Sequence, residues 1–193
     1  MLAQVTSEEL ILQSARQELA RTGILGLRVA SVAEGAHCSI TNIYRYFGDR
    51  DGLLARVLGD MYEEFTAAAV ATFMARLNDR KNLTVRDIAR ALPFPTTESE
   101  MKIQAFRMQI LATSTENQRL CDRLKKISTM RATVWQESFA ELDSKMAPGE
   151  RYDRRVFRVM LANFAPYYNS LLGDMQVTAE EFYEFMEDKL RLK

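Results

Sequence analysis

Several features are scarce in this 193-residue chain, and each scarcity excludes a class of protein. The two cysteines, Cys38 and Cys121, give neither a disulfide framework nor a zinc-ligand spacing. No apolar run approaches the ~20 residues that span a bilayer, and the first residues lack the basic and apolar segments of a signal peptide. We therefore expect a cytoplasmic protein without a membrane partner. No paired carboxylates, nucleophile–base pair or metal-ligand cluster stands out, so we expect no catalytic residue, metal or cofactor, and no enzyme.

Glycine and proline are also scarce, with 8 and 4 residues, while apolar residues recur every three or four positions. That period is typical of amphipathic helices, and no sustained alternation typical of strands is present. The sequence predicts an all-α fold of about nine helices. The predicted helices span residues 6–23, 29–36, 40–47, 49–77, 85–92, 97–112, 117–145, 151–172 and 179–192.

Local signals mark several helix ends. Thr6 with Glu9, and Thr97 with Glu100, have the spacing of a capping box, in which each side chain hydrogen-bonds the other residue's backbone N–H. Asp49 is suited to cap the long fourth helix. These signals predict where three helices begin.

Three short helices within the first fifty residues, with a tight turn between the second and third, predict a helix-turn-helix. In residues 39–47, Ile43 and Phe47 are four positions apart and should face the core. Thr41, Asn42 and Arg45 are left outside, where asparagine suits adenine and arginine suits guanine in the major groove.

Residues 11–54 resemble the DNA-binding domain of the TetR family of bacterial regulators. The matching positions are Val32, Ala33, Ala36, Ser39, Ile43, Tyr44, Phe47, Arg50, Asp51, Leu53 and Leu54. The resemblance implies a two-domain, all-α homodimer: a three-helix helix-turn-helix domain over residues 1–52, and a helical ligand-binding and dimerisation domain over residues 53–193. It also implies a DNA surface that includes phosphate contacts from Tyr44, Arg50 and Arg28. The full predicted DNA-binding set is Arg28, Ser39, Thr41, Asn42, Tyr44, Arg45, Tyr46 and Arg50.

The turn departs from the family pattern. His37 stands where the family usually has glycine, because the turn requires a positive φ, and Cys38 stands where valine is usual. We interpret His37 as a strained turn residue rather than a pH switch or ligand, and Cys38 as a small apolar substitute rather than a redox sensor. Ile40 occupies a position where polar residues are common, so base preference does not transfer from relatives.

The C-terminal part contains many aromatic and methionine side chains, which either fill a plain core or line a pocket for a largely apolar inducer. The predicted pocket residues are Met101, Phe106, Met108, Trp135, Phe139, Phe164 and Tyr167. Residues 151–172 are apolar on more than one face, which favours a second subunit as partner. The predicted dimer-interface residues are Met160, Phe164, Tyr168, Leu171, Phe182, Phe185 and Met186. We expect the basic run Arg151, Arg154, Arg155 and Arg158 to pair with the acidic last helix.

Charge alone does not point to DNA. Residues 1–52 carry five basic and six acidic side chains, a net charge of −1. Our first hypothesis is a homodimeric repressor that an inducer releases from a double-stranded DNA operator. The alternatives are the same DNA-binding role without an inducer, and a helical ligand-binding protein that does not bind DNA.

Overall fold

The computed structural model describes residues 6–155 and 178–192. Within those ranges the chain forms α-helices and no strand, which confirms the all-α prediction. The helices are α1 (Ser7–Gly26), α2 (Val29–Gly35), α3 (Ile40–Phe47), α4 (Arg50–Leu77), α5 (Val85–Ala91), α6 (Glu98–Thr113), α7 (Gln118–Lys145) and α8 (Ala179–Leu190). The predicted helix over residues 151–172 lies outside the described residues from position 156 onward.

The predicted capping boxes are both present. The Glu9 backbone N–H donates to Thr6 Oγ1 at 3.2 Å, and the Thr6 backbone N–H donates to the Glu9 carboxylate at 2.7 Å. These hydrogen bonds lower the pKa of Glu9 because they favour its charged form. Thr97 and Glu100 form the same reciprocal pair ahead of α6. Local sequence therefore sets the start of both helices.

The end of α1 differs from the prediction. Gly23 was expected to end the helix; instead it interrupts the helix with φ 71° and ψ 178°, and the chain resumes a helical turn as far as Gly26. Glycine reaches this left-handed region without steric cost. The interruption turns the chain toward α2.

The described residues divide into two compact units, each with its own core. The first comprises residues 6–64 and 109–127, and the second comprises residues 65–108, 128–155 and 178–192. The boundary at residue 52 between a DNA-binding domain and a ligand-binding and dimerisation domain stays a prediction.

In the first unit, the predicted apolar stripe of α1 is buried: Ile11 and Ala15 are fully inaccessible, and Leu19 is nearly so. α1 packs on α2, and α2 packs on α3. The buried Ser14 hydroxyl joins the first pair by donating to the Val32 carbonyl at 2.9 Å. This packing fixes α2 and α3 as a rigid pair.

In the second unit, α5 and α8 pack together around one apolar cluster. Its buried members are Phe73, Leu77, Leu83, Val85, Ile88, Ala89, Ala91, Leu92, Phe139, Leu142, Tyr152, Met186 and Leu190. Burial is the main influence that raises the pKa of the Tyr152 hydroxyl.

The expected pairing of the basic run with the last helix was wrong for two of its members. Arg154 pairs with Asp143, and Arg155 pairs with Asp153. The carboxylates of α8 instead meet α5, for example through Arg90. The reason is packing: α5 lies against α8 and brings its own arginines there. Arg158 lies outside the described residues.

Candidate nucleic-acid interface

The turn between α2 and α3 closes through two backbone hydrogen bonds. The Cys38 N–H donates to the Ala33 carbonyl at 2.9 Å, and the His37 N–H donates to the Glu34 carbonyl at 3.1 Å. This pairing is a Schellman motif, whose pivot residue adopts the left-handed region and is usually glycine. His37 takes that position with φ 51°. The expected strained turn residue is therefore present, and the turn holds α3 at a fixed angle to α2.

Ser39 fixes the first turn of α3. Its hydroxyl accepts a hydrogen bond from the Asn42 backbone N–H at 3.1 Å, as expected of a cap. Ile43 is fully buried and Phe47 is half-buried, so the predicted inward face is correct. At the other end, the Gly48 N–H donates to the Tyr44 carbonyl at 2.7 Å. The helix is short, capped at both ends and anchored on one side only.

The opposite face of α3 is open. Thr41 and Arg45 are exposed, Tyr44 and Tyr46 are 42% and 41% exposed, and Asn42 is half-buried. Beside this face lies a depression of about 330 Å³, and its lining residues are His37, Cys38, Ser39, Thr41, Asn42 and Arg45. A depression lined by hydroxyl, amide and guanidinium groups suits the edges and phosphates of nucleic acid.

Arg45 is positioned by its neighbour. Its guanidinium carbon lies 5.2 Å from the centroid of the Tyr46 ring, which is a cation–π contact. The contact limits the rotamers of a long side chain, and its N–H donors bond to no residue in the described part of the chain. Tyr46 therefore supports the arginine that the sequence predicted to read guanine.

The two other predicted arginines differ from each other. Arg28 is exposed and stands at the N-cap of α2 without making a capping hydrogen bond. Arg50 is half-buried, and its guanidinium donates to the carbonyls of Leu27 and Ile24, both at 3.3 Å. Arg50 thus holds the segment that leads into α2, a positioning role that the sequence did not reveal.

Some charged side chains of the first unit form salt bridges and others do not. Arg28 and Arg45 form no salt bridge with any residue in the described ranges, whereas Glu8, Glu18 and Asp49 are each paired with an arginine. The pairing engages three acidic groups and leaves Arg28, Arg45 and the exposed Glu34 of α2 without an ion pair among the described residues. A unit with little net charge can therefore present a cationic face.

One support of this face was missed. Arg119, on α7, donates to both carboxylate oxygens of Asp49 at 2.8 and 2.7 Å, directly after α3 ends. This bidentate pair lowers the pKa of Asp49 and raises that of Arg119. Asn117 adds a hydrogen bond of 2.9 Å to the Asp51 carbonyl. No local pattern signals contacts between residues about seventy positions apart, so only the fold reveals them.

The described members of the predicted pocket lie on two helices, α6 and α7. Met101, Phe106 and Met108 are half-buried on α6. Trp135 stacks on Phe139 with ring centroids 5.7 Å apart, and Phe139 is only 6% exposed within the core cluster. The remaining predicted members, Phe164 and Tyr167, lie outside the described residues.

Of the predicted dimer-interface residues, Met160, Phe164, Tyr168 and Leu171 also lie outside the described residues. The other three are on α8. Phe185 is 59% exposed, Met186 is 3% exposed within the chain's own core, and Phe182 packs on Phe94 with ring centroids 4.7 Å apart. On this helix Phe185 is the large apolar side chain that is most exposed, and the Lys189 ammonium lies 5.4 Å from its ring centroid.

Two further observations concern the described ranges alone. None of their helices is long and apolar enough to cross a membrane. They also contain no group of three or more histidine, cysteine, aspartate or glutamate side chains placed to hold a metal ion. Cys38 and Cys121 are both free thiols and both half-buried.

A hydrogen-bonded turn, a capped helix with one open face and two arginines without a salt bridge in the described ranges are typical of a helix-turn-helix DNA-binding protein. Residues 11–57 match the family described as "Bacterial regulatory proteins, tetR family". Residues 11–57 therefore carry a DNA-binding domain of the TetR type. Regulators of this family are not enzymes, which agrees with the expectation from the sequence.

Solved structures share the whole fold. A Rhodococcus sp. protein assigned as a TetR-family transcriptional regulator is 19% identical, with a TM-score of 0.59 over 94% of this chain and 95% of that one. The multidrug binding protein EbrR, complexed with imidazole, is also 19% identical, with a TM-score of 0.63 over 98% of each chain. At such identities the likeness shows the fold alone. No curated protein matches the chain in sequence.

Proposed function

We propose that the chain is a sequence-specific transcriptional repressor whose α3 is the recognition helix. The observation that carries this proposal is the open face of α3 with its exposed Arg45, which forms no salt bridge with any described residue. Thr41, Asn42 and Arg45 face base edges, with Arg45 forming two hydrogen bonds to guanine. As a DNA-bound regulator the protein acts where the chromosome lies, in the cytoplasm.

Phosphate contacts come from the remaining members of the predicted set. Arg28 and the hydroxyls of Ser39 and Tyr44 are exposed in this unit. They set register and orientation without reading sequence. Arg50 supports DNA binding indirectly, because it holds the Leu27 and Ile24 carbonyls of the segment that leads into α2. Tyr46 supports DNA binding by positioning Arg45.

The repressor acts as a homodimer in this proposal. Two recognition helices occupy successive major grooves of a near-palindrome, about 34 Å apart. The exposed Phe185 on α8 supports an apolar contact with a second copy, since a two-fold interface uses one patch twice. A Phe185→Ser variant should therefore dissociate at a higher protein concentration than the native chain in sedimentation velocity.

A small, largely apolar inducer releases the repressor in this proposal. Support comes from the half-buried Met101, Phe106 and Met108 of α6, because methionine adapts to varied apolar shapes. It also comes from EbrR, a protein of similar fold that is described as multidrug binding. The inducer acts only through its different affinities for the DNA-competent and incompetent states.

Regulation without an inducer is the second candidate, and one observation favours it. Trp135 and Phe139, two of the predicted pocket residues, are stacked on each other instead of facing empty space. A thermal-shift screen of apolar compounds separates the candidates. A ligand present at 100 times its Kd stabilises the protein by about 2.7 kcal/mol, and a hit must also weaken operator binding.

The deciding experiment is selection of random duplex DNA by the purified protein, followed by Kd measurements on the enriched site. Arg45→Ala should relax one base position in each half-site at a cost of about 1–3 kcal/mol. Tyr44→Phe should weaken binding to all sequences alike. Lys102→Ala, which removes an exposed cation on α6, is the matched control and should change neither.

If no sequence is enriched at low salt, the repressor proposal fails. The third hypothesis, a helical ligand-binding protein without DNA binding, would then explain the fold. It requires a tightly bound small molecule, which native mass spectrometry of the purified chain would detect.

A further inference from the structure

His37 is both the pivot of the turn between α2 and α3 and an exposed residue at the open face. It is the only histidine in the chain. It lines the depression beside α3 together with Ser39, Thr41 and Arg45. The sequence by itself favours a turn residue and not a pH switch, but the structure places this residue where a ligand of the open face would meet it.

The turn holds His37 in one backbone conformation. Its N–H donates to the Glu34 carbonyl at 3.1 Å, the next N–H donates to the Ala33 carbonyl at 2.9 Å, and its φ is 51°. This left-handed region is unfavourable for residues other than glycine, and such strain is concentrated at functional sites. Glycine would close the same turn without strain. What histidine adds is an imidazole, which exchanges a proton near neutral pH.

The imidazole of His37 forms no hydrogen bond or salt bridge with the residues that the structure describes. Cys38 and Arg45 share the depression with it, the first as a half-buried thiol and the second as a like charge. On the helices packed around the turn, Glu18 of α1 is engaged in a salt bridge of its own, and Glu34 of α2 is exposed and forms none with His37. An anion that enters the depression therefore meets an imidazole that no described carboxylate already neutralises.

We infer that the protonated imidazole of His37 binds a backbone phosphate in each half-site of the operator, so that the protein takes up protons when it binds DNA. The inference rests on the proposed function and deepens it by adding a contact and its regulation by pH. α3 has eight residues and is therefore about 12 Å long, close to the width of the major groove at about 12 Å. A residue in the turn before such a helix lies near the border of the groove, which the phosphates form.

Binding to a phosphate favours the charged imidazole, because a hydrogen bond between two ions is stronger than one from a neutral ring. An arginine is charged at every pH that proteins tolerate, whereas a histidine ordinarily gains its charge only below about pH 6.5. By linkage, the form that binds DNA more tightly is the protonated one. Affinity should therefore be greatest at low pH and fall as the pH rises and His37 loses its proton.

The test uses protein without a histidine tag and the operator found by selection. The Kd is measured from about pH 5.5 to about pH 7.5 at constant ionic strength, the range in which histidine titrates. Affinity of the native protein should fall by about tenfold for each half-site over this range. The slope of log K against log salt should also be steeper at the acid end by about 2 for a dimer. His37→Asn tolerates the left-handed region but gains no charge, so it should lose both effects.

Arg45→Ala is the matched control, because it removes from the same depression a cation that does not titrate. It should weaken binding and keep the pH dependence. Native affinity that does not change with pH overturns the inference, and so does a pH dependence that persists in His37→Asn. A loss in His37→Asn that is confined to one base pair would mean a base contact and overturns the phosphate assignment. Failure to enrich any operator defeats the proposed function and this inference with it, whereas the other results defeat the inference alone.

Discussion

The contact between α1 and α2 leaves no room for a side chain at Gly35. A Cβ atom built there would lie closer than 3.0 Å to the Ser14 Oγ, although it would clear the Ser14 Cβ at 3.4 Å. Ser14 is 6% exposed, and its hydroxyl is held by the Val32 carbonyl. We therefore expect Gly35→Ala to destabilise the protein and Ser14→Ala to rescue it.

The magnitudes follow from opposing effects. Alanine gains about 0.5–1 kcal/mol over glycine in a helix. The clash costs about 1–3 kcal/mol, because the packing must shift or the hydroxyl must abandon its hydrogen bond. Gly35→Ala should therefore lose about 1 kcal/mol net. Ser14→Ala alone should lose about 1 kcal/mol. The double variant removes the clash and keeps the helical gain, so it should lose only a few tenths of a kcal/mol.

Urea unfolding of the four proteins at one protein concentration provides the measurement. The midpoints should shift without a change in slope, since the effect is on stability and not on the surface exposed. The coupling energy should be about 2 kcal/mol in favour of the double variant. Gly149→Ala combined with Ser14→Ala is the control. A Cβ at Gly149 meets nothing within 4 Å, so the loss that its φ of 85° causes should simply add to that of Ser14→Ala. Additive losses for Gly35 and Ser14 would refute the steric argument.

Three further predictions concern the turn, the cap and one carboxylate. His37→Gly should relieve left-handed strain at φ 51° and raise Tm by about 2–4 °C in calorimetry, while an unchanged Tm would mean that the strain is negligible. Arg28→Ser should cap α2 and stabilise the chain by about 1 kcal/mol, yet weaken binding to all DNA and reduce the slope of log K against log salt by about 2 for a dimer. Equal slopes for the two proteins would remove Arg28 from the DNA surface. Burial pushes the pKa of Asp87 upward, but hydrogen bonds from Thr84 and the charge of Arg80 outweigh it and hold that pKa below its ordinary range. The charged form therefore adds stability that is present above about pH 4 and lost as the pH falls through the lowered pKa, so Asp87→Asn should flatten the acid limb of stability measured by urea midpoints between pH 2 and pH 7.

Features that depend on neighbours in sequence were predicted from the sequence. The Thr6–Glu9 capping box, the Ser39 cap and the positive φ of His37 each involve residues within a few positions, where local hydrogen bonds and steric limits dominate. The buried stripe of α1 also follows from helical periodicity. For such features the physics that decides the structure is visible in a short window of sequence.

Features that depend on tertiary contacts were not predicted. The carbonyls that Arg50 holds and the carboxylate that Arg119 clamps lie far away in the chain, and nothing local selects them. Periodicity also places Trp135 and Phe139 inward without saying whether they meet each other or an empty pocket. Inward-facing residues are determined by pattern, but their partners are determined by the packing of helices.

The strongest objection to a DNA-binding function is the lack of net positive charge near the N-terminus. The pairing of acidic side chains in salt bridges answers it. Residues 1–52 carry a net charge of −1, so long-range attraction to the polyanion is weak. Much of that acidic charge is already paired, as in Glu8 with Arg56 and Asp49 with Arg119, and those pairs help to hold the unit together. What remains on α2 and α3 is the exposed Glu34 and a small number of cations placed at the proposed interface. Affinity built on few phosphate contacts has a shallow salt dependence, and a larger share of it comes from base edges. A nearly neutral unit is therefore what a regulator needs if it is to ignore most DNA and bind one sequence.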